Sequence, residues 1–348
     1  MLRQSLIEYG KPLETTEAAA PSPQGSEVLL RISHCGVCHS DVHLQDGYFD
    51  LGGGQKLDIR GNRPLPFTLG HEIAGTVEAV GPEATAIAVG RRFAAYPWIG
   101  CGRCPLCARG DEHLCVAPRA LGVTVDGGYA THVLVPHPRY LLDVEGIAPE
   151  IAAPLMCSGL TGFGAVRKAL GYLRLGPLLI VGLGGVGMMG LQFARALVDV
   201  PIFVADIDAK KRQAALALGA TEAFDPASEG ARKAVAKASG GVGAAIDFVG
   251  SSTSLAFAHG PVAKGGAAIV VGLFGGGFAM PVPMFPLRAL TVMGSYVGSL
   301  AEARDMLELV KAGRVAPIPV ELRALASAGA ALDDLRRGKI VGRVVLTP

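Results

Sequence analysis

The sequence is poor in charge and has no concentration of either sign. Only 18% of its 348 residues are charged, and 32 basic against 30 acidic side chains leave a formal net charge of +2. Without a basic block, nothing points to a nucleic acid or an anionic membrane as partner. No run of about 18 uninterrupted apolar residues occurs, so no helical membrane span is expected. The first residues, Met1 to Glu8, lack the apolar core of a secretory leader, and a cytoplasmic location is expected. Thiols stay reduced there, so clustered cysteines read as metal ligands or catalysts before disulfides. The 48 glycines have no Gly-X-Y period, which excludes collagen. There is no internal repeat and no low-complexity segment.

Half of the residues are hydrophobic, and the chain is long for a single core, so two domains are expected. Residues 25–150 read as short strands and loops. Val28–Ile32, Ile73–Val80 and Tyr129–Val135 are strand candidates, punctuated by Gly and Pro, and predict a mostly β domain. The texture changes near Pro154. Pro177–Val181 is a short apolar run without alternation, as in a buried parallel strand. A helix (Met188–Val198), a strand (Ile202–Ala205) and another helix (Ala209–Leu218) follow. Ala244–Val249 and Ala267–Val271 complete a β-α alternation that implies a parallel sheet. The tail, from about residue 298, predicts one helix (Leu300–Ala312) and a last strand (Arg343–Leu346).

The seven cysteines are unevenly placed. Cys101, Cys104, Cys107 and Cys115 form C-x2-C-x2-C-x7-C. Four thiolates this close can complete a tetrahedron around Zn²⁺ and leave no open position. An iron–sulfur cluster is the competing reading, but Val116 stands where its usual proline would follow the last cysteine. Four ordinary free cysteines are the plainer alternative. Cys35-Gly36-Val37-Cys38 could be a redox pair, yet it lies in the β-rich part, outside a thioredoxin-like context. The run Cys38-His39-Ser40-Asp41-Val42-His43 suggests a metal site instead, as does Gly70-His71-Glu72. A catalytic zinc needs three protein ligands and one exchangeable position. Cys38 and His71 are two candidates. Spacing leaves the third open between Cys157, near the domain junction, and Cys35.

Gly182-Leu183-Gly184-Gly185-Val186-Gly187 fits G-x-G-x-x-G between a strand and a helix, and the next strand ends at Asp206. This context marks a dinucleotide site rather than a structural turn. Gly182 permits the turn, Gly184 admits the pyrophosphate and Gly187 packs the helix on the sheet. The helix N-terminus then stabilises the phosphates. Asp206 can accept hydrogen bonds from the adenosine ribose and should repel a 2′-phosphate, favouring NAD over NADP. No Tyr-x-x-x-Lys occurs, which removes the short-chain dehydrogenase catalyst and leaves zinc chemistry as its substitute.

These parts resemble the zinc-containing alcohol dehydrogenases of the medium-chain dehydrogenase/reductase superfamily, most closely its bacterial and yeast-like members. The resemblance spans nearly the whole chain. It rests on Gly70-His71-Glu72-x2-Gly75-x5-Gly81, Gly36-Val37-Cys38-His39-Ser40-Asp41, the four-cysteine lobe and the glycine turn. It implies an α/β fold: a Rossmann doubly wound parallel sheet (154–297) plus a mostly β, GroES-like catalytic domain (1–153 and 298–348). It implies two zincs per chain. Cys38, His71 and Cys157 would hold the catalytic one, with Cys35 a bystander, and the four-cysteine lobe the structural one. Asp41 resembles the carboxylate that orients the zinc-bound imidazole. Glu72 resembles the glutamate behind the metal, and Ser40 and His43 a proton relay. His39 and Arg343 resemble pyrophosphate contacts, Thr161 a nicotinamide contact and Lys211 the lysine near the adenosine ribose. The cofactor-binding set is thus His39, Thr161, Gly182, Gly184, Gly185, Val186, Gly187, Asp206, Lys211 and Arg343. The implied reaction is reversible hydride transfer between a primary or secondary alcohol and NAD, giving aldehyde or ketone. Polyol, threonine and cinnamyl-alcohol dehydrogenases share the ligand logic, and a non-enzymatic zinc-binding structural protein is a remote alternative. Homotetramers are common in the family, and a homodimer is the other possibility.

The segment Asp46 to Pro66, with Leu51-Gly52-Gly53-Gly54 and Arg60-Gly61-Asn62, is longer than in the shortest members. It is either part of the substrate entrance or a simple surface loop. Trp98, Tyr48 and Phe49 are candidate pocket walls, with core packing the plainer role for each.

Overall fold

The computed structural model describes residues 1–61 and 63–348. Asn62, in the long segment just named, lies outside the described residues. Two sheets organise the chain. The apolar run Leu178–Val181 is buried at every position, because a central parallel strand is covered on both faces. It pairs in parallel with Ile202–Ala205 on one side and Val242–Asp247 on the other. Glu222–Phe224 extends one flank, and Val262–Val270 and Thr291–Gly294 extend the other. Numbered within this sheet, the order is 3-2-1-4-5-6, the doubly wound arrangement that opens a crevice beside its first strand.

The second sheet is largely antiparallel. In order it runs Leu141–Asp143, Arg92–Ala95, Glu72–Val80, Val28–Gly36, Arg343–Thr347 and Val320–Ala324, with His132–Val135 also on Val28–Gly36. Its register decides what meets at its centre. Gly36 lies opposite Glu72, and on its other side opposite Val345 of the C-terminal strand. The strand from the chain's end therefore enters the sheet beside the Cys35–Cys38 segment.

Several expectations need adjustment. The helix after the glycine turn begins at Gly185, not Met188, since the turn's own glycines form its first residues. The strand expected from Tyr129 begins at His132. Tyr129 instead accepts the Gln4 N–H at its carbonyl, at 2.8 Å. The tail holds more than one helix and one strand: Val320–Ala324 and a second helix, Ala328–Arg336, lie between them. The long segment after Asp46 contains a hairpin, Tyr48–Gly52 with Gln55–Asp58. Its backbone reaches the other part of the chain, where Gly276 N–H donates to Asp50 O at 3.3 Å.

An unanticipated helical stretch carries Cys157. Pro149–Pro154 is helical, Leu155–Gly159 forms a π turn, and Leu160–Ala169 continues as a regular helix. In the wide turn the Leu160 N–H reaches back to Leu155 O. Such a bulge inserts one residue into the helix and re-aims its side chains, which is why these turns recur at functional sites. Among the described residues, no helix is long and apolar enough to cross a membrane.

Candidate active site and metal centres

Three buried side chains converge from distant parts of the chain. Cys38 caps the helix His39–Asp46, His71 immediately precedes the strand Glu72–Val80, and Cys157 sits in the π turn. Their ligand atoms lie within 4.8 Å of one another, with the Cys38 and Cys157 sulfurs 3.9 Å apart. Cys35 is not in this group. It is buried, with its thiol against Gly36 O at 3.7 Å, and burial pushes its pKa well up. Of the two cysteines that spacing left open, it is Cys157 that the fold brings to Cys38 and His71.

Asp41 organises the imidazole. It is fully buried, and its Oδ1 faces His71 Nδ1 at 3.1 Å and accepts the Gly70 N–H at 3.3 Å. Its Oδ2 accepts the Cys38 N–H at 3.0 Å and the Tyr129 hydroxyl at 2.9 Å. A carboxylate beside Nδ1 keeps the proton there and turns the Nε2 lone pair away from it. His71 Nε2 is itself buried with no hydrogen-bond partner, an arrangement that costs free energy unless something else satisfies the nitrogen. Burial works to lower the His71 pKa, but Asp41 and Cys38 outweigh it and raise it well above its usual value. The close sulfur contact with Cys157 is the first cause that draws Cys38 well down, and the same contact pushes Cys157 well up. Two thiols sharing one negative charge beside an unpartnered imidazole fit a divalent soft-ligand cation, which would let both ionise.

Glu72 and Arg343 form a buried pair behind this triad. Glu72 Oε1 also accepts the Ser158 N–H at 3.1 Å, next to Cys157. Burial raises the Glu72 pKa, and Arg343 opposes the rise. Arg343 lies against Gly185, where an added Cβ would collide with its side chain. Its Nε is buried without a partner. One guanidinium therefore spans from the carboxylate behind the triad to the glycine turn.

The turn has the shape expected of it. Gly182 sits at φ +88°, where only glycine is unstrained. At Gly187 a Cβ would overlap the Gly182 carbonyl, so the helix packs against the strand end only without a side chain. Gly184 is exposed and open. Gly185 and Val186 follow as the first helical residues. Asp206 stands at the end of the neighbouring strand and accepts the Leu183 N–H at 2.6 Å and the Asp208 N–H at 2.8 Å. Lys211 lies in the first turn of the next helix. Thr161 is buried one turn beyond Cys157.

The remaining sequence candidates surround Cys38. The His39 ring is 5.3 Å from that of His43 and 5.9 Å from Phe274. His43 packs on Phe49 at 4.8 Å, and its Nε2 has no partner. Ser40 and His43 make no hydrogen bond to each other, so a relay through them needs a bridging group. Trp98 covers His71 at 5.4 Å and donates its indole N–H to Met156 O at 3.0 Å. Tyr48 faces Lys56 instead, whose ammonium lies 3.6 Å from the ring centre. Two further tyrosines escaped the sequence reading: Tyr129 at Asp41, and Tyr296, whose ring meets Trp98 edge-on at 5.7 Å. Neither belongs to a motif, so no spacing marks them.

The second cysteine group is also assembled. The sulfurs of Cys101, Cys104, Cys107 and Cys115 lie within 4.8 Å of one another, and all seven cysteines are free thiols. Backbone N–H groups of Cys101 and Ala117 point at the Cys115 sulfur, at 3.2 and 3.4 Å. Hydrogen bonds from the Arg103 and Cys104 amides hold Cys101 at about 6. Burial pushes Cys107 up to about 11. Glu112, buried, ties the lobe to the sheet by accepting the Tyr140 hydroxyl at 2.6 Å.

Known proteins match both parts of the chain. Residues 24–146 match the family described as alcohol dehydrogenase GroES-like domain, and residues 185–312 match zinc-binding dehydrogenase. An NAD-dependent alcohol dehydrogenase of Sulfurisphaera tokodaii is 39% identical, with 100% of both chains covered. The crystal structure of the alcohol dehydrogenase from Aeropyrum pernix superposes with a TM-score of 0.90 at 28% identity over 100% of both chains. That of the D-arabinose dehydrogenase from Sulfolobus solfataricus gives 0.85 at 27%, covering 100% of this chain and 99% of that one. With its GroES-like and Rossmann parts and these full-length relatives, the chain belongs to the zinc-type alcohol dehydrogenase family of the medium-chain dehydrogenases.

Proposed function

We propose that this protein transfers hydride between a primary or secondary alcohol and NAD, releasing the aldehyde or ketone. The observation that carries the reading is the buried Cys38–His71–Cys157 triad with an unpartnered His71 Nε2, joined through Glu72 and Arg343 to the glycine turn. In this reading the triad holds one zinc, and Cys101, Cys104, Cys107 and Cys115 hold a second. A zinc held there would supply Lewis acidity toward a hydroxyl, and a bound NAD would supply the hydride acceptor.

The chain's own groups do the rest. Asp41 fixes the His71 tautomer. Glu72, with Arg343, sets the charge behind the triad. Ser40 and His43 carry the hydroxyl proton outward. His43 is lowered to about 4, chiefly by burial and next by His39, so it is neutral near pH 7 and free to accept. The N–H groups of the Gly185–Val186 helix start, with His39 and Arg343, receive the pyrophosphate. Asp206 and Lys211 address the adenosine ribose, and Thr161 the nicotinamide. Residues 1–153 and 298–348 form the catalytic domain in this reading, and 154–297 the cofactor domain. The sheets support that division, since all six strands of the parallel sheet fall within 178–294.

Trp98, wedged over His71, is placed as a pocket wall, whereas Tyr48 is taken up by Lys56. The hairpin after Asp46 contacts the Gly275–Gly277 segment, which supports a role at the entrance. A sugar or other polyol is the second substrate reading, favoured by the likeness to a D-arabinose dehydrogenase. Cytoplasmic localisation is supported by the free, clustered thiols. The partner in this reading is a second copy of the chain, in a homotetramer or a homodimer. Thr291–Gly294 is an edge strand with Val292 exposed, and Val282 and Leu287 near it are 77% and 67% exposed. An open edge beside apolar surface invites pairing. Light scattering tests this, and a monomer at micromolar concentration refutes it. The activity itself is tested by reduced-cofactor absorbance with a panel of primary, secondary and polyhydric alcohols, with NAD and NADP, alongside zinc content. The expected result is NAD-dependent turnover with two zincs per chain. Absence of turnover with the whole panel refutes the reading.

A further inference from the structure

The aromatic side chains around the triad are not equivalent as hydrogen-bond donors. Trp98 spends its N–H on Met156 O. Tyr129 spends its hydroxyl on Asp41. Phe49 and Phe274 have no donor. Tyr296 alone among these rings carries a hydroxyl that makes no hydrogen bond to any described residue. Its ring is fixed edge-on to Trp98, at 70° and 5.7 Å, while Trp98 lies against His71.

Tyr296 is 45% exposed. Its contact with Trp98, which itself lies against His71, sets that open ring beside the triad. Its phenol is pushed up to about 12, first by burial and then by Cys157 and Cys38. Immediate neighbours differ in character: Ser295 is buried, and its hydroxyl accepts from the Lys168 ammonium at 2.9 Å, whereas Val297 is buried in the core. Tyr296 is thus the exposed residue between two buried ones, just past the strand end.

A neutral phenol here would be indifferent to a simple alkanol, whose single oxygen goes to the metal position. It would discriminate in favour of a substrate with a second oxygen, because a site built around a donor loses a hydrogen bond when the partner is missing. The geometry points to Tyr296 as a specificity-determining residue that selects alcohols bearing a second hydroxyl next to the carbinol carbon, with Trp98 as the flat apolar wall. This rests on the alcohol-oxidising reading above and narrows its substrate class.

The test compares 1,2-propanediol with 1-propanol, using the zinc-loaded protein and NAD. Tyr296→Phe keeps the ring and removes only the hydroxyl. The ratio of kcat/KM for diol over monoalcohol is expected to fall about tenfold, the loss of one hydrogen bond of roughly 1.4 kcal/mol, with 1-propanol little changed. An unchanged ratio overturns the assignment. A binding arm keeps the two readings apart. Trp98 is the chain's single tryptophan, and it touches Tyr296, so its fluorescence reports occupancy without turnover. Tighter diol than monoalcohol binding in the wild type, lost in Tyr296→Phe, supports the selection even if neither alcohol is oxidised, in which case only the reaction class fails. Equal affinities in both proteins overturn it.

Discussion

Asp41 shows how much a single side chain has to satisfy. It receives four donors from three stretches of chain, and only with all of them present is a fully buried carboxylate tolerable. Cys157 is the residue on which the triad depends most visibly, since it comes from 119 residues beyond Cys38 in the sequence. Cys157→Ala is expected to abolish turnover and to reduce zinc from two to one per chain, with the circular dichroism spectrum retained. Full activity in that variant refutes the ligand set. The motif residues were legible because chemistry constrains them locally: Cys38 and Asp41 share one helical turn, and His71 adjoins Glu72. Cys157 was legible only as a free cysteine near a junction, and Tyr129 and Tyr296 were not legible at all, since each acts across more than 80 residues of sequence.

At the level of elements, the βαβ alternation was easy to read because buried parallel strands are continuous apolar runs. The boundaries moved where glycine was involved, as at Gly185. The helix across 149–169 was missed because Pro154 sits inside it and three glycines weaken its pattern. Its wide turn at Leu155–Gly159 is a tertiary feature: it presents Cys157 to Cys38 while Ser158 N–H meets Glu72. The close approach at Gly187 gives the sharpest prediction at this scale. Gly187→Ala inserts a methyl against backbone, and overpacking of this kind costs about 1–3 kcal/mol. A lower denaturation midpoint with weaker NAD binding is expected. A midpoint and an NAD affinity both equal to wild type would show that the strand and helix can part at no cost.

For the molecule as a whole, the histidines set the response to acid. His43 falls from an ordinary 6.5 to about 4. Burial also lowers His34, His39, His113 and His259. The unfolded chain takes up these protons near pH 6.5, while the folded chain resists until lower pH. Stability is therefore complete above about 6.5 and declines as the pH drops toward about 4. His71 opposes the trend, because its pKa is raised. Chemical denaturation at a series of pH values should show the decline, with a shallower slope in His43→Gln. A slope equal to wild type would remove His43 from the account.

The sequence by itself determined the chemistry available: a four-cysteine lobe spanning 15 residues, a glycine turn with its acidic partner, and the absence of the tyrosine–lysine alternative. Those are short-range patterns, and covalent spacing alone brings their groups together. The tertiary structure decided which distant groups complete the site. Sheet register placed Gly36 beside Glu72 and the C-terminal strand, and so brought Arg343 to the glycine turn. The π turn set Cys157, not Cys35, beside Cys38 and His71, and packing set Tyr296 against Trp98. No periodicity encodes such meetings, because they depend on how whole elements stack, and the free energy that fixes them is shared over the core rather than held in any motif.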